Sequence, residues 1–341
     1  MSFSATNYQP SWTLFFSWGA FVFLSVNFFT GVLLSNVDKN DFIMGCVIAF
    51  TLLAFTLYPT VYLSIKYNIN YSQAIQKFIS NKTIQFSLIA LVVLINLGWY
   101  SIQLTAINTL LTNHFEVNSL VSILILSYLF AYGSYKFDYE WLKSFGVITI
   151  VLFLVYLVSI TFTLETDTIN DSLPVSNISL WSIVILLYGT WAFSSSTVVM
   201  DVARYTKDFK KSYIAILLAM VFSNFLLIAL GYMFGRYTNI DSFEEFVLFL
   251  GIGFGVLLFV LNIWSTNDSN FFSSSKALQT LGVKKQISFI ALPLLSAMLA
   301  INFQDDLFSI IGSWLKLMGW ITIPLTLFWW YVIFKSVVND K

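Results

Sequence analysis

The sequence of 341 residues contains a single cysteine, Cys46, and a single histidine, His114. One cysteine excludes an intramolecular disulfide and any metal motif built from several cysteines. One histidine excludes paired-histidine metal motifs, and its place at the end of an apolar segment favours an interfacial side chain over a metal ligand. Cys46 lies in an apolar run, where we expect it to pack as a small hydrophobic side chain.

Charged residues are also scarce, at 10% of the chain, and 17 Lys and Arg balance 17 Asp and Glu. The sequence contains no basic tract of the kind that would indicate nucleic-acid binding. The sequence lacks phosphate-binding loops and nucleophile elbows. We therefore predict neither an enzyme nor a bound organic cofactor.

Hydrophobic residues, in contrast, make up 58% of the chain. This composition predicts an all-α integral membrane protein, one transmembrane domain over residues 1–341. Ten apolar segments reach the length of about 20 residues that crosses about 30 Å of hydrocarbon. They cover residues 12–36, 41–66, 84–112, 117–135, 141–163, 179–202, 212–235, 244–268, 285–303 and 308–335.

The basic residues predict an orientation for these ten spans. All but three of the 17 fall on the face that follows the even-numbered spans, and the exceptions are Lys39, Arg236 and Lys316. By the positive-inside rule, both termini are predicted to be cytoplasmic in a plasma membrane, as in the bacterial inner membrane. We expect Lys316 to snorkel toward the outer surface rather than to line a site.

An arrangement of ten spans with both ends inside divides into two halves of five, residues 12–163 and 179–335. Because five is odd, the halves have opposite orientations, which is the inverted-repeat plan of many secondary transporters. No residue-level repeat is visible, so this prediction depends on the topology and on the places where polar residues interrupt the spans.

Polar residues interrupt the first span of each half. Ser25, Asn27 and Thr30 lie in the first span, and residues 194–197 of the sixth span are four consecutive hydroxyl residues. Such side chains offer the backbone alternative hydrogen bonds and favour a break. A single hydroxyl more often bonds back to its own helix or allows close packing. Two clusters at corresponding places favour a binding site near mid-membrane.

The third span contributes Asn96 and Trp99. An amide that donates and accepts, next to a flat aromatic face, suits a planar heterocycle, although Trp99 alone also fits a core or interfacial position.

The eighth span carries the most polar stretch, residues 261–270, which we place at its inner end. Asn262, Ser265 and Thr266 have i, i+3, i+4 spacing, so their oxygens share one helical face and suit a hard monovalent cation. Asp268 either adds charge at that site or caps the cytoplasmic end of the span.

Residues 262–268 read Asn-Ile-Trp-Ser-Thr-Asn-Asp, which resembles the eighth-span motif Asn-Ile-Trp-Thr-Thr-Asn-Asp of cytosine permeases, in the nucleobase:cation symporter family. Shorter matches follow the same order: Phe23-x-Ser25 with Thr30-Gly31, Gly98-Trp99, and residues 201–205 after the sixth span. The resemblance implies a five-plus-five fold of the leucine-transporter type, alternating access, and uptake of a nucleobase such as cytosine, or a related heterocycle, with sodium or protons.

The resemblance also implies roles for individual residues. Trp99 would stack on the base, Asn96 would replace a family glutamine at its edge, and Ser194 would match a site serine. Ser25, Asn27 and Asn267 would complete the substrate site. For sodium, Asn262, Ser265 and Thr266 would match eighth-span ligands, and carbonyls near Phe23 and Asn27 would complete the shell.

Three features depart from the family pattern. The chain has ten predicted spans rather than twelve. Asn96 is shorter than glutamine. An ungapped match places Ala192 at the second stacking position, so either Trp191 or Phe193 supplies the ring, or the stack is one-sided.

Two other functions remain open from the sequence. One is an amino-acid:sodium symporter of the same fold, and the other is a membrane sensor that binds without transporting. In each case the expected partners are a small molecule and the lipid bilayer. The sequence is compatible with a monomer and with an oligomer.

Overall fold

The computed structural model of the protein describes residues 8–22, 25–138, 140–142, 144–145, 147–149, 151–152, 178–237, 252–303 and 307–339. Outside the described residues lie Phe23, most of the predicted fifth span and the start of the eighth. The side chain of Ser25 is also not described.

Regular structure within these ranges is helical throughout. The helices are α1 (Thr13–Val22), α2 (Ser25–Leu33), α3 (Lys39–Tyr67), α4 (Tyr71–Phe78), α5 (Lys82–Phe115), α6 (Ser119–Phe137), α7 (Leu180–Gly189), α8 (Ala192–Ser196), α9 (Val199–Ala203), α10 (Phe209–Ala219), a π-helix (Met220–Phe225), α11 (Leu226–Tyr237), α12 (Ile252–Thr280), α13 (Lys285–Asn302) and α14 (Leu307–Asn339).

Six helical segments in the described part of the chain are long and apolar enough to cross a membrane. They correspond to the predicted second, third, fourth, seventh, ninth and tenth spans: Lys39–Tyr67, Lys82–Phe115, Ser119–Phe137, Phe209–Arg236, Lys285–Asn302 and Ile310–Ser336. The chain is therefore an all-helical multi-pass membrane protein. The predicted first, sixth and eighth spans correspond to α1 with α2, α7 to α9, and α12.

The sixth span is interrupted twice, as its hydroxyl cluster predicts. Turns at Thr190–Trp191 and Thr197–Val198 separate α7, α8 and α9. At the second turn, the Ser196 and Thr197 hydroxyls both donate to the carbonyl of Phe193, at 2.8 and 2.7 Å. These side-chain bonds replace part of the regular helical ladder.

Helix α3 compensates for the interrupted backbone with hydroxyls spaced one helical turn apart. Thr60 Oγ1 donates to the carbonyl of Ser195 at 2.8 Å, and Ser64 Oγ donates to that of Met200 at 2.8 Å. One turn earlier, Thr56 Oγ1 and the Tyr188 hydroxyl lie 2.8 Å apart. We call Thr56, Thr60 and Ser64 the hydroxyl ladder of α3. Backbone groups without partners cost several kcal/mol in a membrane, so the ladder stabilises the broken span.

Glycines allow backbone-to-backbone contact at two helix pairs. A Cβ on Gly31 would overlap the backbone of Ile228 on α11, and one on Gly189 would overlap the carbonyl of Leu315 on α14. Close approach through small residues is the usual packing mode of membrane helices, where no hydrophobic effect drives association. The two contacts fix α2 on α11 and α7 on α14.

The structure differs from the prediction for the polar run. Helix α12 continues to Thr280 rather than ending near residue 268, so residues 261–270 lie inside the helix and not at its inner end. Asp268 is fully buried, and its Oδ1 accepts a hydrogen bond from the backbone N–H of Ser134 on α6 at 2.8 Å. A helix-to-helix bond satisfies this carboxylate oxygen, whereas the sequence pattern equally suggested a solvated end.

Candidate functional site

A small internal cavity lies where α1, α5, the broken sixth span and α12 meet. Its lining residues are Phe21, Trp99, Gln103, Thr190, Trp191, Ser194, Thr266 and Asn270. The cavity volume is about 10 Å³, which is room for about one water molecule. A larger ligand therefore requires the lining side chains to move apart.

Two tryptophans from different elements face this cavity. Trp99 lies on α5, and Trp191 lies in the turn that separates α7 from α8. Trp191 Nε1 donates to Asn27 Oδ1 on α2 at 2.9 Å, and the Phe21 ring lies edge-on to the Trp191 ring with centroids 5.3 Å apart. Trp191 is thus held by both helices of the first span.

Of the two candidates for the second stacking aromatic, Trp191 is the one that lines the cavity. Phe193, the other candidate, is buried at 1% exposure and does not line the cavity. Asn27 acts on the cavity indirectly, through the Trp191 ring.

Two carboxamides that the sequence analysis did not select also line the cavity. Gln103 lies one helical turn after Trp99 on α5, and Asn270 lies one turn after Thr266 on α12. Both side chains are buried, and both polar atoms of Gln103 and the Nδ2 of Asn270 have no hydrogen-bond partner among the described residues. Such groups are normally satisfied by protein, water or ligand. Their i, i+4 spacing from predicted site residues was the signal that would have found them.

Asn96 and Asn267 lie beside the cavity rather than in its lining. Asn96 is 1% exposed, and neither of its amide atoms has a partner in the described residues. Asn267 Nδ2 donates to the carbonyl of Tyr100 at 3.5 Å, the outer limit of a hydrogen bond.

Neutral oxygens converge next to the cavity, on the other side of Thr266. Thr266 Oγ1 lies 3.3 Å from the carbonyl oxygen of Phe21 and 3.2 Å from that of Asn262, and Ser265 Oγ lies 2.9 Å from the same Asn262 oxygen. We call these four oxygens the oxygen cluster. Phe21 contributes the first-span carbonyl of this cluster, and the predicted Phe23 carbonyl lies outside the described residues.

The oxygen cluster has the chemistry of a monovalent cation site. All four ligand oxygens are uncharged: two are the backbone carbonyls of Phe21 and Asn262, and two are the hydroxyls of Ser265 and Thr266, which are at most 4% exposed. Among the described residues, no group of three or more His, Cys, Asp or Glu side chains is placed to hold a metal ion. Sodium fits this donor set, since hard cations take oxygen ligands from carbonyls and hydroxyls.

Charged residues near the intracellular end predicted for span six are packed inside the protein. Asp201 is only 4% exposed, and Arg204 Nη2 donates to the Tyr205 hydroxyl at 2.9 Å. Lys276 and Asp138 form an ion pair of 2.8 Å that joins α12 to the end of α6. The carboxylate of Asp201 therefore does not lie at a solvated helix end.

No protein-family model matches the chain, and a search of curated proteins finds no match. Solved structures do share its fold. Mhp1, a nucleobase-cation-symport-1 family transporter in a closed conformation with bromovinylhydantoin bound, superposes with a TM-score of 0.74 at 15% identity, covering 92% of this chain and 75% of its own.

Two other transporters superpose over a similar extent. A substrate-bound, outward-open Na⁺-coupled sialic acid symporter gives a TM-score of 0.71 at 16% identity, over 94% of this chain and 78% of its own. A manganese transporter of Eremococcus coleocola gives 0.63 at 12% identity, over 96% and 82%. The chain therefore shares the fold of these three transporters, one of which is a nucleobase-cation-symport-1 family transporter.

Proposed function

We propose that this protein is a symporter that takes up a nucleobase or a related small planar heterocycle together with sodium. Uptake would proceed by alternating access through ten spans arranged as a five-plus-five inverted repeat. The protein would lie in a plasma membrane, such as a bacterial inner membrane, with both termini in the cytoplasm.

One observation carries the proposal: Thr266 belongs to both candidate sites. Its side chain lines the aromatic cavity, and its hydroxyl lies within hydrogen-bonding distance of the Phe21 and Asn262 carbonyls. An ion held by the oxygen cluster would fix the rotamer of Thr266 and the end of α1. Substrate and ion would then stabilise the same arrangement of α1 and α12, and this shared stabilisation is positive cooperativity, a favourable coupling free energy.

The cavity chemistry supports a planar, neutral ligand. Trp99 and Trp191 offer flat faces. The amide of Gln103 and the Nδ2 of Asn270, which have no hydrogen-bond partner among the described residues, offer donors and an acceptor for the edge of a ring. The lining residues carry no formal charge, so a charged ligand would be desolvated without a counterion. Mhp1, which shares the fold, was solved with bromovinylhydantoin bound.

A ligand screen by thermal shift tests this proposal. Purified protein is melted with cytosine, uracil, hypoxanthine, allantoin, hydantoins or hydroxymethylpyrimidine, each with sodium and with choline in its place. Free amino acids, sialic acid and Mn²⁺ test the alternative substrates, and a pH series in choline tests proton coupling. Stabilisation by a heterocycle that increases with sodium is expected. Stabilisation by amino acids alone would contradict the proposal.

Transport itself is tested in proteoliposomes loaded with the protein. An inward sodium gradient is expected to drive accumulation of the heterocycle that gave the largest thermal shift. Binding without accumulation would instead favour the membrane sensor.

Substitution of Trp99 by alanine tests the stacking role. We expect heterocycle affinity to fall by about 1–3 kcal/mol, or about 5- to 150-fold, because base stacking on an aromatic ring contributes that much. Isothermal titration in the presence of sodium measures the change. Trp12→Ala is the matched control, because Trp12 is 60% exposed and lies outside the cavity lining. Equal affinity in the Trp99→Ala and Trp12→Ala variants would rule out stacking.

A further inference from the structure

A second and much larger cavity shares no lining residue with the candidate site. It has a volume of about 550 Å³ and is bounded by α3, α7 and α14. Several of its walls belong to strongly exposed apolar side chains, including Trp181 at 69%, Trp320 at 63% and Leu327 at 59%. In a membrane these surfaces contact lipid, so the cavity is a groove open to the bilayer. We call it the α3–α7–α14 groove.

Lys316 lines one end of this groove. It lies within the apolar segment Ile310–Ser336, about 9 Å from the start of that segment at a rise of 1.5 Å per residue. Its side chain is exposed, and no carboxylate in the described part of the chain forms an ion pair with it. A lysine at this depth is costly unless it reaches an anion or the interface.

At the opposite end of the groove, the polar side chains already have hydrogen-bond partners within the protein. Thr56, Tyr188 and Thr326 line it there, and their hydroxyls are hydrogen-bonded to one another. Thr56 Oγ1 lies 2.8 Å from the Tyr188 hydroxyl and 3.2 Å from Thr326 Oγ1. The remaining walls at this end are apolar, among them Phe55 and Leu327. The groove therefore offers a cation at one end and an apolar channel beyond it.

The length of the groove matches one lipid chain. Lys316 and Leu327 are three turns apart on α14, about 16 Å at the same rise per residue. That is about half of the roughly 30 Å hydrocarbon core, the thickness of a single leaflet. Trp320 lies one turn from Lys316 on α14, and Trp181 also lines the groove. Tryptophan is enriched at the level of lipid headgroups.

We propose that the α3–α7–α14 groove binds one anionic phospholipid, with its phosphate on Lys316 and an acyl chain lying toward Leu327. The lipid would pack against α7, which ends at Gly189, directly before the cavity residues Thr190 and Trp191. A bound lipid would thus support the half of the sixth span that positions Trp191. This proposal is independent of which substrate the central cavity takes.

Native mass spectrometry of the purified, delipidated full chain tests the proposal. The protein is titrated with phosphatidylglycerol or phosphatidylcholine of identical chains, and bound lipids are counted by mass. One phosphatidylglycerol is expected to bind about five- to tenfold more tightly than phosphatidylcholine, and Lys316→Gln is expected to remove that preference. Lys39→Gln is the matched control, since Lys39 is an exposed lysine assigned to the same membrane face and lies outside the groove.

A second variant separates the groove from the charge. Leu327→Trp fills the apolar end and leaves Lys316 in place, so it is expected to weaken phosphatidylglycerol binding while the gel-filtration profile stays that of the wild type. Excess inorganic phosphate is expected not to displace the lipid. Equal binding of both lipids, full retention by Lys316→Gln or Leu327→Trp, displacement by phosphate, or dimer masses in place of lipid adducts would each overturn the proposal.

Discussion

At the scale of single residues, the candidate site combines side chains that the sequence pattern selects with two that it does not. Trp99, Ser194 and Trp191, the last as one of two alternatives, were predicted for the substrate and line the cavity. Thr266, which was predicted as a cation ligand, lines it too. Gln103 was not predicted, because the resemblance placed the edge-binding amide one turn earlier, at Asn96. Both amides are buried on the same helix and have no hydrogen-bond partner in the described part of the chain, so only contact with the cavity distinguishes them.

This distinction predicts different effects for two similar substitutions. Gln103→Leu is expected to weaken heterocycle affinity by about 1–3 kcal/mol, since a polar ligand edge would lose its hydrogen-bond partner. Asn96→Leu, on the same helix and equally buried, is the matched control and should leave affinity within about twofold. Titration calorimetry of both variants measures the effect. If Asn96→Leu shows the larger loss, the edge contact belongs to Asn96, as the resemblance implied.

At the scale of elements, the breaks in the sixth span depend on α3. Hydropathy and the hydroxyl cluster predict an interrupted span, but they do not show where the freed carbonyls find donors. The hydroxyl ladder of α3 supplies donors for two of these carbonyls, those of Ser195 and Met200. The three ladder residues are spaced one helical turn apart in the sequence. Because single hydroxyls in apolar helices mostly bond to their own helix, this spacing alone does not predict that they bond to the sixth span.

The ladder predicts a stability difference between two threonines of α3. Thr60→Val leaves the Ser195 carbonyl without its side-chain donor and is expected to lower the free energy of unfolding by about 1 kcal/mol. Thr51→Val is the matched control, because the Thr51 hydroxyl is exposed and bonds within its own helix to the carbonyl of Val47. Thermal or denaturant unfolding in detergent compares them. Equal loss in both variants would show that the ladder does not stabilise the break.

At the scale of the whole molecule, length and hydropathy predict the membrane class and six of the spans closely. They fail for α12, where buried polar residues continue as helix to Thr280. In the sequence the polar run suggests the end of a span. In the structure tertiary contacts satisfy part of it, as when Asp268 Oδ1 accepts the Ser134 N–H, and Asn270 Nδ2 lines the cavity without a partner among the described residues. Long-range partners of this kind are not encoded in local periodicity, so they could not be predicted from it.

The central claim is that one heterocycle and one cation meet at Thr266, and thermodynamic coupling measures this most directly. Calorimetric titration of the best heterocycle is performed in sodium and in choline, for the wild type and Thr266→Val. A coupling of about 1–3 kcal/mol is typical of linked sites, so sodium should tighten wild-type binding about 5- to 150-fold. Thr266→Val, which keeps the side-chain shape, should abolish that gain. Identical affinities in sodium and choline for the wild type, or full coupling in Thr266→Val, would contradict it.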